Sequence, residues 1–287
     1  MASLKEIKGR ILSVENTRKI TSARQMISSA YLHRAQNQLE QIRRYKQELD
    51  RLVSEFLLPG QSPETVVPAG TSFPETAVVI FSSNSGMCGS FNMNMIKQIP
   101  VIVQEYACES LIWYPVGSKI RDALRKLDDP VDSYGIGDLD SLAGKWSWQE
   151  VHQVVDHLIR LYQSEKVKQI ILVYYYYQTV SRYEIRIQPL LPYPFRLDRE
   201  TCPDHYLIEP GTGEMAGELI RLSVYATFYH ALISNQTSEH AARLIAMQLA
   251  TENADELQEE LRLTYNKLRQ QSITSELLDI IGNTFGG

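Results

Sequence analysis

The chain has 287 residues, of which 44% are apolar and 22% charged, and a net charge of −5 at pH 7. This composition is that of an average globular protein, which argues against disorder or a collagen-like repeat, and its acidic balance argues against a dedicated nucleic-acid-binding protein. Three cysteines without CxxC spacing predict neither a secreted disulfide framework nor a zinc site.

The first predicted element is a long helix over residues 1–58. There is no proline from Ala2 to Phe56, and apolar residues recur at steps of three and four, which is typical of an apolar stripe on a helix. The stripe consists of Leu4, Ile7, Ile11, Val14, Ile20, Ala23, Ile27, Ala30, Ala35, Leu39, Ile42, Tyr45, Leu49, Leu52 and Phe56. About 55 helical residues would extend roughly 80 Å. We therefore expect this helix to pack on something outside its own globular core, and residues 57–74 to form a linker.

Residues 74–210 change to short apolar strands that alternate with helices. The predicted strands are 77–81, 111–114, 167–177 and 183–189, and the predicted helices are 91–109, 118–127 and 148–164, with Ser118 as an N-cap. Strands that alternate with helices indicate βαβ units and a parallel sheet. The pattern therefore predicts a small α/β domain inserted between two terminal helices.

The last predicted element is a second long helix within residues 211–287. Its apolar positions are Ala242, Ile245, Leu249, Leu257, Leu261, Leu268 and Leu277. Neither long helix has a partner nearby in sequence, so we expect the two to pair antiparallel. Residues 1–57 carry 11 basic and 6 acidic side chains, whereas residues 238–287 carry 4 basic and 8 acidic ones. Opposite charge balances favour this pairing, although each screened surface pair contributes little.

A basic segment lies between Glu15 and Glu40, where there is no acidic residue. Its four basic side chains are Arg18, Lys19, Arg24 and Arg34. Two interpretations remain open. The segment is either a solvated basic face or a docking surface for an acidic partner.

The middle of the chain carries no convincing catalytic motif. Gly144-Lys145 lacks the other residues of a phosphate-binding P-loop, and Gly135-Ile136-Gly137 lacks the third glycine of a dinucleotide fingerprint. The loop Ser85–Ser90 follows a strand and precedes a helix, so it is either a tight turn or an anion-binding loop. Cys88 in this loop would need a base that the sequence does not identify. We predict no catalytic, cofactor or metal site.

The sequence also predicts no membrane span, signal peptide or transit peptide. The longest apolar run, Ile170–Tyr177, is too short for a membrane span. The N-terminal residues lack the apolar region of a signal peptide and the character of a transit peptide. We expect a cytoplasmic chain, in which the sequon Asn235-Gln236-Thr237 has no meaning.

Both ends of the chain carry motifs of a known family. The N-terminal segment reads MASLKEIKGRILSVENTRKIT, followed by Ala23, Met26, Ala30 and Arg34-Ala35-Gln36. The C-terminal motif residues are Ser238–Arg243, Ala246-Met247, Ala250-Thr251, Asn253-Ala254, Tyr265–Lys267, Arg269-Gln270, Ile273-Thr274 and Glu276-Leu277. In these residues both ends resemble the gamma subunit of F-type ATP synthases. In the middle, Ser85–Gly89 with Phe91-Asn92 is similar to the glycine-rich loop of that family, and Leu190-Leu191-Pro192 is similar to the end of one of its strands.

The resemblance implies an antiparallel coiled coil of the two terminal helices with an inserted Rossmann-like α/β domain. It implies a non-catalytic rotor shaft that turns inside a hexamer of alpha and beta subunits, with epsilon and the c-subunit ring as further partners. The implied location is the cytoplasmic side of a bacterial inner membrane, without direct membrane insertion. Ion flow would drive rotation, and ATP would be made in the beta subunits.

The resemblance also implies contact residues. Arg18, Lys19, Arg24 and Arg34 would face an acidic loop of the beta subunits, Arg269 and Gln270 would contact the surrounding subunits, and Ile280 and Ile281 would lie in an apolar bearing. Arg24 departs from the methionine usual in the family, so we expect it to add a charged contact that alters rotational drag or coupling.

The alternatives are a divergent paralogue coupled to another ion such as sodium, a small-ligand enzyme built on the α/β domain, and an unrelated coiled-coil scaffold. Nucleotide binding by the isolated chain would favour the enzyme. Genes for alpha, beta and epsilon subunits beside this one would argue against the scaffold.

Overall fold

A computed structural model describes residues 4–56, 75–106, 109–127, 139–144, 146–194 and 212–285; the side chains of 55–56, 212–214, 216 and 279–285 are not described. Contacts divide the chain into two compact units, Met1–Ser29 with Arg243–Gly287, and Ala30–Ala242. We call them the helical unit and the α/β unit. The predicted linker 57–74 lies outside the described residues. The predicted boundaries at residues 58, 74 and 210 follow changes in sequence pattern and stay a prediction.

The described elements follow the predicted order of a long helix, an α/β region and a second long helix. They are α1 (Leu4–Phe56), β1 (Glu75–Phe81), α2 (Phe91–Ile96), α3 (Gln98–Glu105), β2 (Ser110–Val116), α4 (Ser118–Lys126), a 3-10 helix (Leu139–Ala143), α5 (Trp148–Gln163), β3 (Gln169–Thr179), β4 (Arg182–Leu191) and α6 (Thr212–Phe285). The two long helices are therefore confirmed. The second begins before Gly217 and ends beyond Gly282, since a glycine inside a long helix costs only about 1 kcal/mol relative to alanine.

The four strands form one sheet in the order β2-β1-β3-β4. β1 pairs parallel with both β2 and β3, as the βαβ pattern predicts. The expectation of a purely parallel sheet is wrong, because β4 pairs antiparallel with β3. Only Val180 and Ser181 separate the two strands. A two-residue connection can join antiparallel neighbours but cannot make the crossover that a parallel pair needs.

The N-termini of α4 and α5 are capped in different ways. The predicted N-cap Ser118 is instead the first residue of α4, and the N-cap is Gly117, which has a φ of 111°. The Ser118 backbone N–H donates to Asn84 Oδ1 at 2.9 Å, so an asparagine from the loop after β1 satisfies the first N–H of this helix. α5 begins with a complete capping box between Ser147 and Glu150.

The core of the α/β unit lies on both faces of the sheet. On one face, α2, α3 and α4 contribute Phe91, Ile102 and Ile120, each less than 2% exposed. Residues 219–242 of α6 are buried on nearly every side, which is typical of a helix inside a core rather than on a surface. Phe81 at the end of β1 contacts Phe228 of this segment, with ring centroids 5.6 Å apart.

Candidate partner-binding surface

The helical unit buries one line of side chains on α1. Ile7, Thr21 and Ser28 are at most 7% exposed, and Val14 is half-buried. These residues recur every seven positions, which is the period of a coiled-coil seam. The seam of α1 therefore contains two small polar residues where a self-sufficient coiled coil would carry large apolar ones.

The matching line on α6 has the same character. Met247, Ala254 and Gln258 are at most 8% exposed, and Thr251 and Leu261 are half-buried. A glutamine, a threonine and an alanine thus occupy inner positions. Threonine and alanine let two helices approach closely, and all three side chains bury less apolar area than leucine or isoleucine would.

Two contacts show that the two helices run antiparallel in this unit. The hydroxyl oxygens of Thr21 and Thr251 lie 2.8 Å apart, so one donates a hydrogen bond to the other. Arg18 Nε lies 3.5 Å from Asp255 Oδ1. The predicted antiparallel pairing is confirmed, because earlier residues of α1 contact later residues of α6.

Large apolar side chains of the helical unit point outward instead. Those from 44% to 70% exposed are Leu12, Ile20, Met26 and Ile27 on α1, and Leu249, Leu257, Leu263, Ile273, Leu277 and Leu278 on α6. The predicted apolar stripe is therefore wrong at Ile20, Ala23 and Ile27 of α1 and at Leu249, Leu257 and Leu277 of α6, all of which are exposed. We call the exposed set the outer apolar surface.

The outer apolar surface has a direct physical consequence. Scattered exposed apolar residues are common on soluble proteins, but a helix pair that buries small polar residues while many large apolar ones stay exposed is not. Water solvates such a surface poorly, and covering it would release free energy of roughly 25 cal/mol per Å² of apolar area. The arrangement therefore indicates a protein partner around this helix pair.

The predicted contact residues Arg18 and Lys19 already have partners inside the chain. Arg18 is paired with Asp255, as above, and Lys19 Nζ lies 2.8 Å from Glu15 Oε1 on its own helix. The hydrogen bond from Lys19 lowers the pKa of the Glu15 carboxyl. An acidic partner would thus compete with Asp255 and Glu15 for these two cations.

The other predicted contact residues do not form a single cluster. Arg24 is half-exposed and Arg34, in the α/β unit, is exposed; among the described residues neither has an ion-pair partner. Arg269 and Gln270 are exposed almost four helical turns beyond Asp255, roughly 20 Å along α6. Ile280 and Ile281 lie in the last turns of α6, but their side chains fall outside the described residues.

In the α/β unit, side chains of α6 occupy the place where sheets of this kind usually bind ligands. Such ligands bind beside the carboxyl ends of the strands, at the point where the strand order reverses. In this sheet that point lies between β1 and β3. The Asn235 side chain bridges this point, because its Nδ2 donates to Ser82 O and its Oδ1 accepts from Tyr175 N, both at 3.3 Å. Asn235 is 2% exposed, so it is a structural residue and its sequon is inaccessible.

The glycine-rich loop adopts a tight turn. Met87 and Gly89 have φ values of 60° and 58°, and the loop leads directly into α2. Cys88 is 2% exposed, and Asn92 Nδ2 donates to its sulfur at 3.2 Å. Because an amide is not a base, this contact does not make the thiol a nucleophile.

The described residues also hold no group that would bind a metal. Within them, no three His, Cys, Asp or Glu side chains converge as ligands would. Among the described helices, none combines the length and the apolar character that a membrane crossing requires.

Comparisons with known proteins agree with this geometry. The family model described as ATP synthase matches residues 3–284. The ATP synthase gamma chain of Phocaeicola vulgatus is 37% identical over 292 residues, and that of Bacteroides fragilis is 38% identical over 295 residues; each alignment covers 99% of both chains.

Solved structures share the fold at lower identity. One chain of a mitochondrial ATP synthase structure from Euglena gracilis has a TM-score of 0.64 at 20% identity, and covers 99% of this chain and 94% of its own length. A central stalk and c-ring structure from Tetrahymena thermophila has a chain with a TM-score of 0.52 at 21% identity, covering 80% of this chain and 99% of its own. With the family model and close relatives matching almost its whole length, the chain belongs to the ATP synthase gamma chain family.

Proposed function

We propose that this chain is the central rotor shaft of an F-type ATP synthase. Its helical unit would turn inside a hexamer of alpha and beta subunits, and its α/β unit would connect it to the epsilon subunit and the c-subunit ring. It would couple ion-driven rotation to ATP synthesis or hydrolysis in the beta subunits without catalysing either reaction. It would lie at the cytoplasmic side of a bacterial inner membrane, held there by its partners.

The observation that carries this proposal is the outer apolar surface. A shaft that must turn needs a surrounding sleeve but cannot form one strong permanent interface with it. Apolar side chains spaced around a narrow helix pair suit that requirement, because the hydrophobic effect is non-directional and tolerates rotation better than fixed hydrogen bonds do. The small side chains of Thr21, Ser28 and Ala254 at the inner positions let the two helices pack closely.

The basic residues supply a second, electrostatic contact. Arg24 and Arg34 have no ion-pair partner among the described residues and would interact with an acidic loop of a beta subunit. Arg18 and Lys19 would join them by exchanging Asp255 and Glu15 for the acids of that loop. Arg269 and Gln270 would contact the surrounding subunits at a separate level along α6, and Ile280 and Ile281 would occupy the apolar bearing.

Co-expression with the alpha and beta subunits of the same organism tests the proposal. We expect a stable complex that hydrolyses ATP, whereas alpha and beta without this chain should show much lower activity. Ile27→Glu should weaken assembly because it places a charge on the outer apolar surface. Thr17→Glu, at an exposed polar position of the same helix, is the matched control. Failure of the wild-type chain to assemble would reject the proposal.

A further inference from the structure

β3 is longer than its parallel neighbour. The pairing of β1 with β3 ends at Ile80 and Val173, whereas β3 continues to Thr179. The edge of β3 that faces away from β4 would therefore lack hydrogen-bond partners beyond Val173. A buried backbone group left without a partner is strongly unfavourable, so something else must complete this edge.

Two consecutive side chains of α6 complete it. Asn235 accepts from Tyr175 N and donates to Ser82 O, as described above. Ser234 Oγ donates to Tyr175 O at 2.9 Å and accepts from Tyr177 N at 2.8 Å. The serine hydroxyl thus does for β3 what the backbone of a neighbouring strand would do.

The side chains of Ser234 and Asn235 bond to groups outside their own helix, whereas two buried hydroxyl residues close to them do not. The next two residues with hydroxyl groups bond back to their own helix, Thr237 to Ile233 O at 2.7 Å and Ser238 to Ser234 O at 2.8 Å, as such residues commonly do. Thr237 and Ser238 are as deeply buried as Ser234. Burial alone therefore does not explain why Ser234 and Asn235 bond to the sheet.

The other long helix contacts the same stretch of β3. Gln36 Nε2 of α1 donates to Tyr177 Oη at 2.6 Å, and Arg43 donates to Tyr177 O. The Tyr176 ring contacts two guanidinium groups, with Arg186 Cζ 3.4 Å and Arg43 Cζ 5.3 Å from its centroid. Residues Tyr175–Tyr177 are thus where both α1 and α6 are hydrogen-bonded to the sheet, and we call them the β3 joint.

We propose that Ser234 and Asn235 are the positioning residues through which turning force passes between α6 and the sheet at the β3 joint. This inference rests on the rotor function proposed above. Apolar packing is non-directional and resists sliding weakly, whereas hydrogen bonds fix both register and orientation. Three of these bonds join one turn of α6 to the edge of β3, and the fourth joins the same turn to Ser82 after β1, so the connection resists both sliding and rotation.

The test uses the assembled complex in membrane vesicles. Ser234→Ala and Asn235→Ala each remove two of the four bonds, and Ser238→Ala is the matched control because it removes only a bond within α6. One measurement is the ratio of ion pumping to ATP hydrolysed. The other is the width of angular fluctuations of a probe fixed to the α/β unit while the hexamer is immobilised and hydrolysis is stopped.

We expect Ser234→Ala and Asn235→Ala to broaden the angular distribution and lower the pumping ratio while ATP hydrolysis continues. Amide exchange at Tyr177 should accelerate by about tenfold or more in Ser234→Ala, since its N–H loses its partner. Ser238→Ala should match the wild type in the angular distribution, in the pumping ratio and in amide exchange at Tyr177. Equal angular widths in Ser234→Ala, Asn235→Ala and Ser238→Ala would overturn the proposal.

Assembly separates the two proposals. If the wild-type chain does not assemble with alpha and beta subunits, the rotor function itself is wrong. If the wild type and Ser238→Ala assemble but both Ser234→Ala and Asn235→Ala do not, the joint is required for folding rather than for force transfer, and the inference falls while the rotor function stands.

Discussion

Acidification should destabilise the α/β unit through one buried histidine. His230 on α6 is 7% exposed and lies beside the rings of Tyr174 and Tyr176. Burial lowers its pKa from 6.5 to about 4, and the positive charges of Arg43, Lys46 and Arg186 act in the same direction, while Asp50 opposes them weakly. The folded chain therefore holds His230 neutral at a pH where the unfolded chain protonates it.

The sign and size of the effect follow from this difference. A depressed histidine pKa leaves stability unaffected above the unfolded value of 6.5, and stability is lost as the pH falls from 6.5 towards 4. At pH 5, which is 1.5 units below the unfolded value, the loss is about 2 kcal/mol, since one unit corresponds to 1.36 kcal/mol. This is a large part of a typical unfolding free energy of about 5–15 kcal/mol.

Urea unfolding of the full chain at pH 7.5 and pH 5 measures the effect. All three tryptophans lie in the α/β unit, so their fluorescence reports its unfolding. His230→Phe keeps a ring beside the two tyrosines but cannot be protonated, and His33→Phe at an exposed position of α1 is the control. The wild type and His33→Phe should lose about 2 kcal/mol more than His230→Phe between the two pH values. Equal losses in all three proteins would refute the assignment to His230.

Three further substitutions have defined outcomes. Gly117→Ala should lower the unfolding free energy by about 1–3 kcal/mol, because φ is 111° and the new Cβ would lie 2.6 Å from Ser82 Oγ. Gly9→Ala should raise it by up to about 1 kcal/mol, because that Cβ would meet nothing within 4 Å and alanine favours helix. Urea unfolding followed by circular dichroism checks both, since Gly9 lies outside the unit that the tryptophans report, and a shared sign would contradict the reasoning. Arg24→Met should change the number of ions pumped per ATP hydrolysed in the assembled complex, and an unchanged ratio would reject a role for this cation in coupling.

The helices and strands were predictable because their signals are local. The absence of proline over 2–56 and the helical spacing of apolar residues are sufficient to identify α1, and short apolar runs identify β1 and β3. The antiparallel direction of β4 was not predicted, although the sequence contained a signal for it. The predicted strands ended at 177 and began again at 183, and so short a gap excludes the crossover that a parallel arrangement requires.

The seam of the helical unit was misassigned for a physical reason. Two series with the same seven-residue period run along α1 one position apart, Ile20 with Ile27, and Thr21 with Ser28. Hydrophobicity selects the first series for burial, and an isolated coiled coil would bury it. The structure buries the second series, and the first is exposed on the helix pair. A pattern based on hydrophobicity therefore cannot distinguish the surface that faces the second helix from the surface that faces a partner protein.

The β3 joint could not be found from sequence for a different reason. Asn235 matches a glycosylation sequon, Ser234 resembles any serine within a helix, and their bonding partners lie between 57 and 153 residues away in the chain. What defines the joint is the difference in length between β1 and β3, which leaves one edge of a strand without a neighbour. Any residue pair able to both donate and accept at that edge would satisfy it, so the requirement is set by the sheet rather than by a motif. At that edge α6 already supplies hydrogen bonds that a bound molecule could otherwise make.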